Sequence, residues 1–206
     1  MKARLIVADD HEVVRQGLHD IVSATTDLEI VGEAADGAAA GRLARTLAAD
    51  LLILDIALPV RRGIAVLEAL RADGLALPVL FFSMYPASQY TEFVRRAGAQ
   101  GFVGKDADSC TLVRAVRQIL AGQTHFAPDS PHAASGSDEA DPFAGLSPRE
   151  MEVMMGLLDG ASLELIAKSL QVGTKSVSTY RSRLLIKLGV TSNVELAAMA
   201  LRNGYL

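Results

Sequence analysis

The sequence predicts an α/β domain with a doubly wound, five-stranded parallel sheet, followed by a small all-α domain. Three observations lead to this fold class. Short apolar runs alternate with stretches of helical spacing through residues 1–122. Residues 123–142 show no apolar period, and residues 143–206 have a helical pattern throughout. We therefore expect one domain at 1–122, a flexible linker at 123–142 and a second domain at 143–206.

The strands of the sheet are expected to be continuously apolar, because parallel strands are buried on both faces. Five runs of strand length fit this description: residues 4–8, 28–31, 51–55, 78–83 and 101–104. Apolar residues between them recur at helical spacing, as in Val14, Leu18 and Ile21. Gly74, Gly98 and Gly122 stand where three of these helices should end.

The stretch 123–142 is rich in Pro, Ser and Ala, which favours a flexible linker. It contains His125 and His132, but no Cys or His stands at the spacing of a metal-ligand pair. We expect no metal role for either histidine.

Four helices are predicted in the C-terminal domain. Ser147-Pro148-Arg149-Glu150 is a capping box with proline at the first helical position, and that helix should run to Leu158. Further helices are expected at 163–170 and 174–188, and a fourth should start at a second capping box, Ser192-Asn193-Val194-Glu195. A tight turn at residues 171–173 makes the second and third helices a helix-turn-helix.

Composition limits the class of protein. The chain has 206 residues, of which 50% are hydrophobic and 21% charged, as in globular proteins. Its apolar runs fall far short of the roughly 18–20 residues that span a bilayer, and no signal-peptide pattern follows Met1. With Cys110 as its single cysteine the chain forms no internal disulfide, so we expect a cytoplasmic protein. A net charge of −4 excludes a general nucleic-acid coat, although residues 143–206 are mildly basic.

Ionisable side chains follow three of the predicted strands. Asp9 and Asp10 follow the first, Asp55 ends the third, and Lys105 follows the fifth. The carboxyl ends of neighbouring parallel strands line one crevice, so these groups should meet. Carboxylates are ligands for Mg²⁺, and a metal with a lysine could neutralise a phosphoryl group on Asp55. Ser83, at the end of the fourth strand, could donate its hydroxyl to a phosphoryl oxygen.

Each of these residues also has an ordinary explanation. Asp9 or Asp10 could cap a helix, and Asp55 could sit in a turn at a strand end. Lys105 could be a surface lysine, and Ser83 could be a turn hydroxyl. Their joint occurrence on successive strand ends favours the site.

The third C-terminal helix has two sides. Val177, Tyr180, Leu184 and Leu188 recur at steps of three and four residues and should be core. The opposite side carries small hydroxyls and cations: Lys175, Ser178, Thr179, Arg181, Ser182 and Arg183. Such a face can enter the major groove of DNA, with hydroxyls near base edges and cations near phosphates. The alternative is a solvated surface, which the preceding turn disfavours.

The fourth C-terminal helix also has an apolar stripe. It consists of Leu196, Met199 and Ala200, and it is either a dimer surface or intradomain core.

Residues 1–122 resemble the receiver domain of two-component response regulators, which has a flavodoxin-like fold. The resemblance rests on Asp9 and Asp10, the segment 55–59, Ser83 and the segment 101–105. It implies that Asp55 accepts a phosphoryl group from a sensor histidine kinase. It further implies that Asp9, Asp10, Asp55 and the carbonyl of Ala57 bind Mg²⁺, that Lys105 pairs with the phosphoryl group, and that Ser83 and Phe102 form a switch pair.

The chain departs from the receiver pattern in two places. Phe102 stands where many relatives have tyrosine, so the ring is kept and the hydroxyl is lost. Many relatives also have glycine directly after the proline of the loop, whereas this loop reads Pro59-Val60-Arg61-Arg62-Gly63.

Residues 146–206 resemble the LuxR-type helix-turn-helix domain of the NarL/FixJ subfamily, and more narrowly its BvgA- and FimZ-like branch. The resemblance to the subfamily rests on segments 146–150, 166–167, 175–180 and 187–190. The resemblance to the branch rests on segments 180–185 and 194–196. It implies that Ser178, Thr179 and Ser182 face bases and that Lys175, Arg181 and Lys187 lie nearer phosphates. The segment 161–164 departs from the usual start of the scaffold helix.

The sequence thus predicts a DNA-binding transcriptional regulator that is activated at Asp55 by a sensor histidine kinase. The active form is expected to become a homodimer or to free the C-terminal domain from the receiver. Two helices then read two DNA half-sites about one helical turn apart. A phosphatase with an aspartyl-phosphate intermediate would need an acid two residues after Asp55, where Ala57 stands, so we expect no enzyme. A phosphorylation-independent regulator with an atypical receiver remains the alternative.

Overall fold

The computed structural model describes residues 2–85, 87–126, 142–143, 145–170 and 172–203. The chain divides into two compact units, Met1–Ser130 and Pro131–Leu206.

The N-terminal unit alternates strands and helices. Its strands are β1 (Ala3–Ala8), β2 (Leu28–Ala34), β3 (Leu51–Leu54), β4 (Val79–Ser83) and β5 (Gly101–Gly104). Its helices are α1 (Glu12–Ser23), α2 (Gly37–Thr46), α3 (Gly63–Ala72), α4 (Ala87–Arg96) and α5 (Ser109–Leu120). All strand pairs are parallel, in the order β2-β1-β3-β4-β5. The predicted doubly wound sheet is confirmed.

Strand β2 extends three residues beyond the predicted 28–31. It lies at the edge of the sheet, so its outer part keeps polar residues such as the exposed Glu33. The register with β1 also shifts between Leu5 and Ile6. An apolar run therefore underestimates the length of an edge strand, because only part of that strand is buried.

The core lies on both faces of the central strands. Leu5, Val7 and Ile53 pack with α1 and α5 residues such as Leu18 and Val116. Side chains alternate along a strand, so Ile6, Leu52 and Phe81, all fully buried, face the opposite side. The reversal of strand order between β1 and β3 puts the ends of these two strands side by side, at the crevice where such sheets bind ligands.

The C-terminal unit consists of α6 (Pro148–Leu158), α7 (Leu163–Leu170), α8 (Thr174–Leu188) and α9 (Asn193–Arg202) over its described residues. These bounds agree with the predicted helices. Gly160 and Gly189 end α6 and α8 with positive φ, as glycine allows without a Cβ clash. The Ser147–Glu150 capping box is present in full.

The capping box predicted at the start of α9 is not formed. The Ser192 hydroxyl accepts from the Glu195 N–H, but the Glu195 carboxylate accepts from Thr191 instead of closing a capping box. Leu196 and Ala200 are fully buried and Met199 is half-buried, so the stripe contributes mainly to the intradomain core, which was one of the two alternatives for it.

The predicted linker falls mostly outside the described residues, as does His132. At its start, the His125 carbonyl accepts from the Phe102 N–H, so the chain stays with β5 up to this point. No single helix among the described residues is long and apolar enough to cross a membrane, and α8 and α9 reach that length only together, bent by 54°.

Candidate functional site

The acids at the ends of β1 and β3 are held next to each other by the sheet. The backbone N–H of Asp55 donates to the carbonyl of Ala8 over 2.9 Å, so Asp55 lies beside the last residue of β1. Asp9 is 1% exposed and Asp55 3% exposed. Two buried carboxylates at the ends of adjacent strands repel each other, so their burial requires a compensating positive charge.

Lys105 provides that charge. Its Nζ lies 2.6 Å from Asp9 Oδ2 and 2.8 Å from Asp55 Oδ2, and its side chain is 5% exposed. Burial alone would lower the pKa of Lys105, but hydrogen bonds to Asp55 and Asp9 outweigh burial and raise this pKa. The predicted convergence of Asp9, Asp55 and Lys105 is present in the structure.

Ser83 is the second donor to Asp55. Its hydroxyl donates to Asp55 Oδ1 over 2.6 Å, while Lys105 holds Oδ2. Phe102 pairs with Phe81 across β4 and β5 and is buried. Each Asp55 carboxylate oxygen therefore accepts a hydrogen bond from a side chain of this site.

Asp10 lies at the exposed side of the pocket. Its Oδ1 is 2.9 Å from Nδ1 of His11, which is also 3.3 Å from Asp9 Oδ1. Ligand atoms of Asp9, Asp10, His11 and Asp55 all lie within 4.8 Å of one another.

Two residues of this site, His11 and Arg15, were not predicted from the sequence. His11 directly follows the acid pair, which is a signal that could have been read. Arg15 lies one helical turn later; its guanidinium donates to the Asp9 carbonyl over 2.8 Å and lies 3.4 Å from Glu33. Arg15 thereby fixes the start of α1 relative to β1.

The donor set fits a divalent cation. Carboxylate oxygens are the ligands of hard cations such as Mg²⁺. The combined negative charge of the three carboxylates also exceeds the single positive charge of Lys105. Ala57 lies two residues after Asp55 and is exposed. The pocket can therefore hold a divalent cation beside Asp55.

The loop after Asp55 makes an unusual turn at Val60. This residue has a φ of 66°, in the left-handed region that β-branched residues rarely adopt. The Arg61 N–H donates to the Pro59 carbonyl over 2.7 Å, which closes a three-residue turn. The Gly37 N–H donates to the same carbonyl, and a Cβ on Gly37 would lie 1.8 Å from the Arg61 oxygen. The loop is thus packed tightly against the start of α2.

The described part of α8 separates the predicted DNA-contacting residues into two groups. Lys175, Ser178, Thr179 and Ser182 are exposed. The Thr179 hydroxyl donates to the Lys175 carbonyl, and that of Ser182 donates to the Ser178 carbonyl. Val177, Leu184 and Leu188 are buried as predicted, whereas Tyr180 is only half-buried.

The other two cations are engaged within the C-terminal unit. Arg181 Nε donates to Asn193 Oδ1 over 2.9 Å. Lys187 Nζ donates to Glu150 Oε2 over 2.6 Å and to the Gly145 carbonyl over 3.2 Å. Burial alone would raise the pKa of Glu150, but Lys187 and Ser147 together lower it. Lys187 therefore joins α8 to the start of α6.

Comparison with known families matches both units. Residues 5–117 match the family described as response regulator receiver domain. Residues 144–200 match the family described as bacterial regulatory proteins, luxR family.

Relatives match over nearly the whole chain. BvgA, a transcription regulator of Bordetella pertussis, is 33% identical over 207 residues, covering 98% of this chain and 99% of BvgA. The response regulator GacA of Pseudomonas aeruginosa is 30% identical over 206 residues, covering 98% and 96%. The predicted resemblance to BvgA agrees with this result.

A solved structure shares the fold. RcsB from Salmonella enterica serovar Typhimurium, bound to promoter P1flhDC in the presence of the phosphomimetic BeF3⁻, has a TM-score of 0.78 at 24% identity. The alignment covers 97% of this chain and 98% of the RcsB chain.

Proposed function

Because the chain belongs to the response regulators that join a receiver domain to a luxR-family DNA-binding domain, we propose that phosphorylation of Asp55 controls its binding to promoter DNA. The protein is a DNA-binding transcriptional regulator and not an enzyme. The observation that carries the proposal is the ammonium of Lys105, 2.6 Å from Asp9 and 2.8 Å from Asp55, with Ser83 on the second Asp55 oxygen.

The phosphoryl group comes from a phosphohistidine of a sensor kinase. An oxygen of Asp55 attacks phosphorus, the P–N bond breaks, and its electron pair stays on the imidazole nitrogen. The product is an acyl phosphate on Asp55. Lys105 and Ser83 hold the carboxylate in place before transfer, so it is already oriented for this attack.

Asp9, Asp10, Asp55 and the carbonyl of Ala57 would hold Mg²⁺ beside the acceptor. When bound, Mg²⁺ supplies positive charge that neutralises phosphoryl oxygens. Lys105 adds a second, fixed positive charge, and its raised pKa keeps it protonated at neutral pH.

Phosphorylation is relayed through Ser83 and Phe102. Once a phosphoryl oxygen is present, the Ser83 hydroxyl turns from Asp55 Oδ1 toward that oxygen. This movement alters the space beside the buried ring of Phe102 and shifts the receiver toward its active conformation. Phe102 lacks a hydroxyl, so its ring acts by packing alone.

The active receiver promotes a homodimer in which residues 123–142 link each receiver to its DNA-binding domain in the cytoplasm. The exposed face of α8 (Lys175, Ser178, Thr179 and Ser182) then enters the major groove of each half-site. The two half-sites lie about one helical turn apart. Arg181 and Lys187 contribute mainly through the position of α8, since both are engaged within the domain.

The alternative is a phosphorylation-independent regulator. Phe102 is the only predicted site residue that departs from the usual pattern. The buried Lys105–Asp55 pair and the Ser83 hydrogen bond favour the phosphorylated mechanism.

Genome-wide mapping of DNA sites for wild type and Asp55→Asn tests the proposal. We expect weaker occupancy across the regulated sites in Asp55→Asn. Asp20→Asn, an exposed acid of α1 that contacts Gln16, is the matched control and should keep the wild-type map. Maps of wild type and Asp55→Asn that coincide in position and strength would contradict phosphorylation control.

A further inference from the structure

We propose that His11 is a further ligand of the divalent cation beside Asp55, so that the site has a nitrogen donor in addition to its carboxylates. The nitrogen donor should raise the affinity of the site for cations of intermediate softness, such as Co²⁺, Ni²⁺ and Zn²⁺. The inference rests on the proposed function, because it assumes that a cation binds at Asp9, Asp10 and Asp55.

The position of the His11 ring carries the inference. His11 is the residue before α1, yet its side chain makes no capping hydrogen bond to that helix. Instead Nδ1 points back to the acids, 2.9 Å from Asp10 Oδ1 and 3.3 Å from Asp9 Oδ1. The ring belongs to the acid pocket and not to the helix start.

The remaining donors explain why the open side of the pocket matters. Lys105 holds Oδ2 of both Asp9 and Asp55, and Ser83 holds Asp55 Oδ1. The His11 backbone N–H donates to Asp9 Oδ1 over 3.0 Å. On the solvent side stand the exposed Asp10 carboxylate and the His11 ring, whose side chain is 67% exposed. A cation that enters from solvent therefore meets Asp10 and His11 first.

The spacing of these atoms suits one shared ion. With metal–ligand bonds of about 2.1 Å, adjacent ligands of an octahedral ion lie about 3.0 Å apart. The two Nδ1–oxygen distances of 2.9 and 3.3 Å are close to this edge length. A small movement of the exposed ring would place Nδ1 and Asp10 Oδ1 on the same ion.

The chemistry of imidazole makes the effect selective. Mg²⁺ prefers oxygen ligands and retains several waters, so it gains little from a nitrogen donor. Imidazole binds Co²⁺, Ni²⁺ and Zn²⁺ well, in the affinity order of the first-row metals. Loss of His11 should therefore weaken the binding of Co²⁺, Ni²⁺ and Zn²⁺ and leave the binding of Mg²⁺ almost unchanged.

The test titrates full-length wild type, His11→Ala and His19→Ala separately with Co²⁺ and with Mg²⁺. His19 is the matched control, because it also pairs with a carboxylate, Glu33, but stands outside the acid cluster. We expect the Kd for Co²⁺ to rise about tenfold in His11→Ala and to stay unchanged in His19→Ala. The Kd for Mg²⁺ should change by less than about twofold in both variants.

Proton NMR of the Co²⁺-loaded protein gives a second readout that is independent of affinity. A ligating imidazole shows strongly shifted ring signals, which should be present in wild type and His19→Ala. They should be lost in His11→Ala and in His11→Gln, which keeps a polar side chain without the ring nitrogen. Shifted signals that persist in both His11 variants, or an unchanged Co²⁺ affinity in both, would overturn the proposal.

Failure of this inference can be told apart from failure of the proposed function. With Mg²⁺ and beryllofluoride, wild type and His19→Ala should acquire the phosphorylated-like state. Absence of that state in wild type would contradict the proposed function, whereas equal Co²⁺ binding in wild type and the His11 variants would contradict only the role of His11.

Discussion

One lysine holds two buried carboxylates in the N-terminal unit. Lys105 contacts both Asp9 and Asp55, and all three side chains are at most 5% exposed. Breaking a buried ion pair by removing one partner costs about 3–5 kcal/mol, because the remaining charge is left unpaired. The contacts with Lys105 therefore fix the position of the Asp55 carboxylate.

Val60 adopts a strained backbone conformation. Its φ of 66° brings its Cβ close to the backbone, and for an L-residue the left-handed region costs roughly 1–2 kcal/mol. The side chain is 55% exposed, so burial returns little of this energy. Pairing of Gly37 and Arg61 with the Pro59 carbonyl maintains the turn.

We expect Val60→Gly to stabilise the N-terminal unit. Glycine removes the clash at positive φ, and the gain exceeds the added freedom of the unfolded chain, leaving about 1 kcal/mol. Urea unfolding of the full chain measures this change in the free energy of unfolding. Val60→Ala removes only the β-branch and should gain less stability than Val60→Gly. If Val60→Gly were no more stable than wild type, strain at this turn would be contradicted.

At the scale of the element, α8 carries two kinds of cation. Lys175 is exposed near its first turn, among the hydroxyls of Ser178 and Thr179. Lys187 lies in the last turn and contacts Glu150, whose side chain is 4% exposed. The first kind is available to a ligand, and the second fixes α8 against α6.

The two lysines should therefore respond differently to the same substitution. Lys187→Met leaves Glu150 buried without its cation and should destabilise the C-terminal unit by about 1–2 kcal/mol, a modest loss because the Lys187 side chain is 44% exposed and screened. Lys175→Met should leave stability unchanged. It should weaken DNA binding and reduce the salt slope by about one. Thermal unfolding and fluorescence anisotropy at several salt concentrations measure the two effects.

The stability effect of Lys187→Met also depends on pH in a defined direction. The pKa of Glu150 is lowered in the folded protein, so the pair stabilises above the ordinary pKa of 4.5 and loses its effect as pH falls through the lowered value. The difference between wild type and Lys187→Met should shrink there. A constant difference from neutral to acidic pH would show that the lost contact is not the ion pair.

At the scale of the whole molecule, a receiver unit precedes a DNA-binding unit in one chain. Each unit has its own core over the described residues, with Leu5 and Val7 in the first and Val177 and Leu184 in the second. The proposed phosphorylation site and the proposed DNA-binding helix α8 therefore belong to different units.

We expect the full chain to dimerise when Mg²⁺ and beryllofluoride are added. Light scattering should show a shift from one chain to two for wild type and for Asp20→Asn, since both retain Asp55. Asp55→Asn should stay at one chain. A wild-type mass that does not respond would contradict activation through dimerisation.

The sequence by itself determined the local structure and the identity of the chemical groups. Apolar runs defined the buried strands, and Ser147 with Glu150 defined the start of α6, because these depend on neighbours in the chain. The acids at the ends of β1 and β3 could be placed at one crevice, since strand order in a parallel sheet follows general rules. That much predicted Asp9, Asp55 and Lys105 as one site.

The tertiary structure decided which groups contact each other. Packing between distant segments decides that Lys105 bridges Asp9 and Asp55 and that Lys187 contacts Glu150. It also decides that Leu196 and Ala200 of α9 are buried. Sequence spacing specifies the face of an element on which a side chain stands. Only the packed neighbours determine what that face meets, because contact energies and burial arise between elements and not within them.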